Sequence, residues 1–523
     1  MPSLRLAHIR HAKYYEDVLR SAAEFYSQGN ESVRHGLDLV DLDWRNIEVA
    51  RFWAENHLGK DDEATYLCSV WAGVGFQVIK IRRHPNENKR WLQVAIDASR
   101  YLGNRDAESA HLNNLGLIHV TLGEIDIGIR IYEQALAIDR EIGDIIGEAK
   151  VLGNLGTAYH RKGDLRQAIE YYESALKIDR GLNEQRGIAA DLCNLGLAFR
   201  QLGDVPTGID FIQQALKFYQ KLGDLLNEGA ALNNLGLAYA SLGDYRRAIE
   251  FYLQSLAIDQ RIGNRTGEGR VLDNLGVAYK NMGETGRAIR IFGRRLDIAH
   301  EMNDKIGECH VYGNIGNAYA QLGEYLTAIR YYERSLEIDR ELGLRYGECK
   351  MLNNIGVAYY HLENSSLGHK YYQECLKLAR EIEARDMEGM VLNNIGLVYL
   401  DAGNVDRASE YFMYSLEIDR QRGNRRGQAR SLGNLGQVHV ILGDLTNAID
   451  LYKQSLQLVR EIADKYGEAI ILWHLSLVLD QQGDRSQAIG YALASLKLRK
   501  KYKYKGVERI EKQLNHWQET TIG

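Results

Sequence analysis

Nine asparagines recur at one position of a regular sequence repeat, and their side chains could hydrogen-bond a polypeptide backbone. A carboxamide carries an acceptor oxygen and donor N–H groups, so it complements the N–H and C=O groups of a peptide. The spacing is 40 residues throughout, at Asn114, Asn154, Asn194, Asn234, Asn274, Asn314, Asn354, Asn394 and Asn434. This asparagine ladder predicts peptide recognition if its side chains point away from the core.

The direction of these side chains follows from the periodicity around them. Leu152, Leu155 and Tyr159, together with Gly156, cluster on one face of a helix that turns about 100° per residue. Asn154 points roughly 140° away from that face. It shares its direction with the positions of Lys150, Thr157 and Arg161. The pattern therefore predicts a polar strip that faces away from the core.

Two explanations of the ladder are open. Each amide could bond to a neighbouring helix and so bridge consecutive repeats. Alternatively, the amides line an inner groove and bind the backbone of a peptide. Asparagine is a poor helix former, and a helix face directed away from the core gives no folding reason to keep it nine times. The sequence therefore favours peptide binding.

The charged residues of the same strip are mostly basic. They are Lys150, Arg161, Arg270, Lys350 and Arg430, against Asp401 alone. The whole chain has a formal net charge of −5, so a basic lining is a local feature. Charge-assisted hydrogen bonds from these side chains would favour an acidic partner segment.

The ladder belongs to a unit that repeats along most of the chain. Its clearest copy reads Leu152-x-x-Leu155-Gly156-x-x-Tyr159, then Gly163-Asp164, then Ala168-x-x-x-Tyr172-x-x-Ala175-Leu176. This resembles the tetratricopeptide (TPR) signature, although the usual period is about 34 residues. Forty-residue repeats with Asn-Leu-Gly resemble those of spindle-orientation adaptors and bacterial sensor proteins. The resemblance covers residues 107 to about 500.

The resemblance implies an all-α fold, a right-handed α-solenoid (superhelix) of stacked helix-turn-helix TPR units. It also implies a role for the ladder, since similar asparagines line the inner surface of the O-GlcNAc transferase TPR superhelix. Gly163 and Asp164 predict where the first helix of a unit ends and the second begins. The central glycine, Gly156, costs about 1 kcal/mol within a helix. We expect close helix approach to compensate for it, with the small Ala168 opposite.

The two ends of the chain depart from the repeat. We predict an N-terminal helical segment or cap at 1–61, a degenerate TPR-like unit at 62–106, ten tandem units at 107–503 and a C-terminal capping tail at 504–523. The runs 11–15, 39–47 and 53–54 resemble the linker before the TPR sensor of bacterial STAND signalling ATPases. The ATPase motifs of that family are absent from this sequence.

Composition excludes several other classes. Three prolines in 523 residues favour a long helical array, and the slight acidic excess argues against specific nucleic-acid binding. Five scattered cysteines form no CxxC pair, and no apolar run suggests a signal peptide or membrane span. We expect a cytoplasmic protein. The basic run from Lys497 to Lys505 is interpreted as a solvated cap, with nucleic-acid or lipid contact as the alternative.

No motif for catalysis was found. The Gly59-Lys60 pair is followed by Asp61 in place of the Ser or Thr of a phosphate-binding loop, and no HExxH or G-x-S-x-G motif occurs. Lone histidines such as His310 and His361 are expected to be ordinary polar residues. The prediction is a chain that is not an enzyme, with no catalytic residue, metal or cofactor.

The function that the sequence favours is a protein- or peptide-binding scaffold, an adaptor in signal transduction. Its groove would hold an extended, acidic polypeptide segment. The alternative is a ligand-sensing regulatory arm of a STAND-type signalling ATPase, either detached or part of a larger protein, with the ATPase or its effector as partner.

Overall fold

A computed structural model describes residues 4–28, 31–82, 85–502 and 504–522. This described part of the chain contains 25 helices and no strands. The chain divides into two compact units, Met1–Gly283 and Glu284–Gly523. The predicted all-α class and its succession of helix-turn-helix pairs are confirmed.

The first unit contains thirteen described helices. They are α1 (Leu4–Gln28), α2 (Glu31–Asn56), α3 (Asp62–Arg82), α4 (Pro85–Tyr101), α5 (Arg105–Thr121), α6 (Ile125–Ile142), α7 (Ile145–Lys162), α8 (Leu165–Leu182), α9 (Gln185–Leu202), α10 (Val205–Leu222), α11 (Leu225–Ser241), α12 (Tyr245–Arg261) and α13 (Arg265–Asn281).

The second unit contains twelve. They are α14 (Thr285–Glu301), α15 (Lys305–Leu322), α16 (Tyr325–Glu341), α17 (Arg345–His361), α18 (Ser365–Glu381), α19 (Arg385–Asp401), α20 (Val405–Gln421), α21 (Arg425–Ile441), α22 (Leu445–Glu461), α23 (Lys465–Gln482), α24 (Arg485–Tyr502) and α25 (Val507–Ile522).

Short turns between the helices are set by glycine and by an acidic residue. Gly163 ends α7 with a φ of 91°, which favours glycine. Asp164 then caps α8 because its carboxylate accepts a hydrogen bond from the amide of Gln167 at 3.1 Å. Glu124 and Glu324 occupy the same position without a side-chain cap bond. The predicted helix boundary is therefore present with either acid, although Glu124 and Glu324 make no capping bond at this position.

In most pairs the central glycine lies beneath an aromatic ring, whereas Gly196 lies beneath the side chain of Ile212. A Cβ atom added at Gly156 would lie 2.6 Å from the ring of Tyr172, which is buried. The expected small residue opposite is also present: a Cβ added at Gly208 would lie 2.7 Å from the carbonyl oxygen of Gly196. Close approach is therefore as predicted, but the group that excludes a side chain at the central glycine is mainly the ring.

Each unit buries its apolar faces between successive pairs. In the first unit one cluster joins Leu112, Tyr132, Leu152 and Ala175, which lie on α5 to α8. Stacking of this kind is how solenoid repeats gain a core that a single pair lacks.

Helices α1 to α4 share a separate core that contains Leu19, Ile47, Trp71 and Trp91. The ring of Trp44 stacks on that of Trp91 with 5.6 Å between centroids. Both predicted N-terminal segments, 1–61 and 62–106, contribute to this core, and their division stays a prediction.

The C-terminal helix packs on the last repeat through Trp517 of α25. Its ring is fully buried, and its Nε1 donates to Asp480 Oδ2 at 2.8 Å. Residue 503, within the basic run from Lys497 to Lys505, lies outside the described residues. The interpretation of that run as a solvated cap stays a prediction.

Candidate functional site

The asparagine ladder lies on the first helix of each pair, from α5 to α21. All nine side chains are half-buried, so each keeps an exposed portion. They are neither core residues nor fully solvated ones. Such a position allows contact both with a neighbouring helix and with a molecule bound at the surface.

Six of the nine amides hydrogen-bond to an adjacent repeat. Asn154 Nδ2 donates to Asn113 Oδ1 of the preceding pair at 2.8 Å. The bonds Asn274–Asn233, Asn394–Asn353 and Asn434–Asn393 repeat this geometry at 2.9 Å. Longer contacts of 3.5 Å join Asn234 to Cys193 and Asn354 to Asn317. In every case the ladder residue donates through Nδ2.

These bonds supply the folding reason that sequence reasoning judged to be missing. A bridge between repeats is therefore one role of the ladder, and that part of the sequence argument was wrong. The Oδ1 of each bridging amide takes no part in its bridge and can accept a hydrogen bond from a ligand, although Asn354 Oδ1 already accepts one from Asn353 Nδ2 at 3.5 Å. The residue before a ladder asparagine determines the bridge to the next repeat, and the Asn-Asn pairs at 113–114, 233–234, 353–354 and 393–394 could have revealed it.

Asn194 and Asn154 show that a ladder asparagine can lack a bridge or have one. Asn194 lies opposite Gly153, which has no side chain to accept a bond. Within the described residues Asn194 makes no side-chain hydrogen bond with the protein. Asn154, one repeat earlier, is engaged with Asn113. The chain therefore contains bridged and unbridged copies of the same residue.

The five predicted basic residues are all exposed. Lys150 and Arg161 lie on α7 and Arg270 on α13, whereas Lys350 and Arg430 belong to the second unit, on α17 and α21. Arg161 Nη1 donates to the carbonyl oxygen of Val120 at 3.2 Å. The structure thus distributes these cations along the repeats and does not gather them into one cluster.

Several of these cations act on buried aspartates, which sequence reasoning missed. Burial raises the pKa of Asp259, Asp339 and Asp419, and the charges of Arg270, Lys350 and Arg430 respectively oppose that rise. Burial in turn lowers the pKa of Arg430, although its side chain has exposed surface. Part of the basic strip is therefore balanced by carboxylates of the protein.

A spacing in the sequence marks these aspartates. The buried carboxyls Asp139, Asp179, Asp259, Asp339 and Asp419 are each followed eight residues later by a glycine. A Cβ atom added at Gly267 would lie 2.5 Å from Asp259 Oδ1. The glycine thus leaves room for the carboxyl group at the start of the next helix.

A cavity of about 280 Å³ adjoins the ladder in the first unit. Asn274, Val277 and Asn281 of α13 line it, at the positions that correspond to Asn154, Thr157 and Arg161. The other lining residues are Arg200 of α9, Leu237, Ala240 and Ser241 of α11, Tyr245 and Tyr252 of α12, and Ala278 of α13. The three positions of the polar strip on α13 therefore face open space between helices.

The described residues contain neither a metal-ligand cluster nor a membrane-spanning helix. No group of three or more His, Cys, Asp and Glu side chains there is placed to hold a metal ion. Every helix of the same residues is too short or too polar to cross a lipid bilayer.

A family model described as tetratricopeptide repeat matches most of the chain. The matched residues are 107–181, 188–261, 307–381, 347–421, 387–461 and 427–501. A second model of the same description matches residues 271–306. No curated protein matches the chain significantly.

Several solved structures are similar to parts of the chain. The apo quorum sensor NprR from B. thuringiensis is 15% identical, with coverage of 66% of this chain and 97% of that one and a TM-score of 0.47. A Rap protein complexed with competence and sporulation factor is also 15% identical, with coverage of 71% and 99% and a TM-score of 0.46. BtubC from P. vanneervenii is 24% identical, with coverage of 42% and 93% and a TM-score of 0.39.

Proposed function

Since the chain belongs to the tetratricopeptide repeat family, we propose that it is a non-catalytic scaffold that holds an extended, acidic polypeptide segment along its asparagine ladder. The observation that carries the proposal is the half-exposed amide of Asn274 in the wall of a cavity of about 280 Å³. Its Nδ2 is engaged with Asn233, and its Oδ1 is left out of that bond. The ladder then binds backbone N–H groups of the partner.

The spacing of the repeats suits an extended chain. Packed helices lie about 8–10 Å apart, while an extended peptide advances about 3.3 Å per residue. One ladder residue would therefore meet about every third residue of the partner. The exposed ends of Lys150 and Arg161 would lie beside that path and favour acidic side chains.

The proposal is tested by selection from a display library of random peptides on the purified chain. We expect the selected peptides to be enriched in Asp and Glu and to bind about tenfold more weakly to an Asn194→Ala variant, because Asn194 has no bridging role. Its thermal melting midpoint should match that of the wild type. Recovery of peptides without acidic enrichment would contradict the electrostatic part, and unchanged binding to Asn194→Ala would contradict the role of the ladder.

A second candidate is the regulatory arm of a STAND-type ATPase. The residues that resemble the STAND linker lie in α1 and α2 and share a core with α3 and α4: Ala12 is fully buried, and the Trp44 ring stacks on Trp91. Such contacts would transmit a change in the groove to whatever precedes the linker. A phosphate-binding loop encoded upstream in the same reading frame, or ATPase activity that responds to the selected peptides, would favour this candidate. We place either form of the protein in the cytoplasm.

A further inference from the structure

Arg200, beside the ladder, has no carboxylate partner among the described residues. Arg200 lies near the end of α9 and is half-buried. Within the described residues its guanidinium makes no side-chain hydrogen bond or ion pair, and its Nε is a buried atom without a partner. Arginine stays charged at every physiological pH, and a buried N–H group without a hydrogen-bond partner is unfavourable.

In two other repeats the side chain that corresponds to Arg200 has a partner in the next repeat. His160 Nε2 lies 2.6 Å from Gln201 Oε1, and the Tyr360 hydroxyl donates to Asp401. The matching position for Arg200 is Ser241. Its hydroxyl donates to the Leu237 carbonyl oxygen of its own helix at 2.9 Å. A long cation thus faces a short side chain that is already engaged.

The hydroxyl of Tyr252, beside Arg200, also lacks a hydrogen-bond partner among the described residues. In two other repeats the equivalent hydroxyl has a partner: Tyr172 donates to Thr157 at 3.2 Å, and Tyr332 donates to Asn317 at 2.9 Å. At Tyr252 the partner position is the apolar Leu237. No hydrogen bond of Tyr252 is found within the part of the chain that the structure describes.

Both groups line the cavity of about 280 Å³ described above, here named the Arg200 pocket. Pockets for drug-sized ligands begin at about 300 Å³, so this one suits a single side chain. Leu237 and Val277 supply apolar walls for the stem of that side chain, and Asn274 and Asn281 supply amides at the rim. The Arg200 charge also opposes the rise that burial causes in the pKa of Tyr252, as expected for close neighbours.

We propose that the Arg200 pocket binds one carboxylate of the partner segment, with Arg200 as the bidentate donor and the Tyr252 hydroxyl as an additional donor. A guanidinium presents paired N–H groups that match the two oxygens of a carboxylate. The inference rests on the proposed function, because it assigns an anchor to the peptide in the groove. The carboxylate belongs to an Asp or Glu side chain or to the end of the partner chain.

The test compares peptides that differ only in charge. Fluorescently labelled, end-capped peptides of repeating Glu-Gly-Ser are titrated with the full chain, beside matched peptides that contain Gln in place of Glu. We expect the wild type to prefer the Glu peptide about tenfold. Arg200→Gln should reduce that preference to about twofold or less, and Tyr252→Phe should reduce it about threefold. An exposed arginine of the same helix gives a control, since Arg186→Gln removes an equal charge and should keep the preference.

The source of the carboxylate is distinguished by peptides of Gly and Ser alone, with either a free or an amidated C-terminus. A preference for the free form that Arg200→Gln abolishes would support a chain-terminal carboxylate. A preference confined to the Glu peptide would support a side chain.

Failure of the Arg200 inference can be distinguished from failure of the proposed function. Binding of the Glu peptide with the same Glu-over-Gln preference in Arg200→Gln would overturn the inference and leave the groove proposal standing. No binding of any peptide to the wild type would overturn both. If Arg200→Gln fails to fold, Arg200→Lys and the NMR signal of the wild-type Arg200 Nε–H replace it. An Nε–H signal that does not move with the Glu peptide would overturn the inference.

Discussion

At the residue scale, a single asparagine divides its hydrogen-bonding capacity between two tasks. Asn154 donates through Nδ2 to Asn113 and so connects two repeats. Its Oδ1 and the second N–H of its amide are not used in that bridge. The same residue type therefore contributes to stability at bridged positions and is free for a ligand at unbridged ones, such as Asn194.

We predict that Asn154→Ala lowers the free energy of unfolding by about 1 kcal/mol, because a hydrogen bond between repeats is lost and Asn113 is left without its donor. Asn194→Ala should change it by less than about 0.5 kcal/mol. Urea unfolding of both variants measures the difference. Equal losses would show that the bridges contribute nothing.

A second prediction concerns a buried acid. Asp191 occupies a position where other repeats have Val151 or Val271, and its Oδ2 has no partner. Burial, together with the Asp179 charge, raises the pKa of Asp191 to about 8. An unfolded aspartate releases its proton near pH 4, so the folded state binds more protons between about pH 4 and pH 8. The free energy of unfolding should therefore fall as the pH rises through that range and be lowest above it.

Replacing this acid removes the dependence. Asp191→Val should flatten that part of the pH profile and raise the free energy of unfolding at pH 8 by about 1–3 kcal/mol. The exposed Asp210 of the neighbouring α10 gives the control, since Asp210→Ala should keep the slope. Melting midpoints from pH 5 to pH 9 are the measurement, and a wild-type profile that rises across this range would contradict the assignment.

At the element scale, each helix pair depends on the absence of one side chain. α7 and α8 approach closely because Gly156 leaves space for the ring of Tyr172. The intrinsic cost of a glycine inside a helix, about 1 kcal/mol, is offset by this packing. The central glycine is thus required by the packing of the two helices of a pair, although it lies in the first helix alone.

Gly156→Ala should destabilise the protein by about 1–3 kcal/mol, since the added Cβ would overlap the buried ring of Tyr172. Gly181 gives a matched control on α8, because a Cβ added there meets nothing within 4 Å. Gly181→Ala should stabilise by about 0.5–1 kcal/mol. Denaturant unfolding distinguishes the two. A smaller loss from Gly156→Ala in a Tyr172→Leu background would identify the ring as the cause.

At the scale of the whole molecule, the net charge is acidic although the charged residues of the candidate site are mostly basic. The chain carries 70 acidic against 65 basic residues among Lys, Arg, Asp and Glu. The exposed cations of the strip act on buried aspartates such as Asp419, so much of their charge is balanced within each unit. Arg200 stands apart, because it faces a cavity and no carboxylate of the described residues.

Salt should therefore weaken the ionic contribution to peptide binding and leave the amide hydrogen bonds largely unchanged. Between 0.05 M and 0.5 M NaCl we expect affinity for an acidic peptide to fall by about tenfold, because ionic screening weakens exposed charge pairs. Affinity for its Gln counterpart should change by less than twofold, since amide hydrogen bonds dominate there. Fluorescence anisotropy at several salt concentrations provides the comparison. Parallel losses for both peptides would argue against a specific basic contribution.

The sequence by itself determined the repeat, the helical class and the direction of the polar strip. These properties are local: a helix turns by a fixed angle per residue, glycine and aspartate end and begin helices, and the 40-residue period repeats those signals. The period also placed Asn114 and its eight counterparts at equivalent positions. The aromatic ring above most central glycines was not anticipated, because ring direction depends on the partner helix.

Only the tertiary structure decided which side chains meet across repeats. Asn154 pairs with Asn113, and Arg200 lies opposite Ser241, each across 41 residues of sequence. A hydrogen bond or ion pair forms across the repeats only where the facing side chain is long enough and carries a matching donor or acceptor. Helical periodicity contains no information about that match, so the bridged amides, the buried aspartates and the unpaired arginine emerge only when the helices are packed.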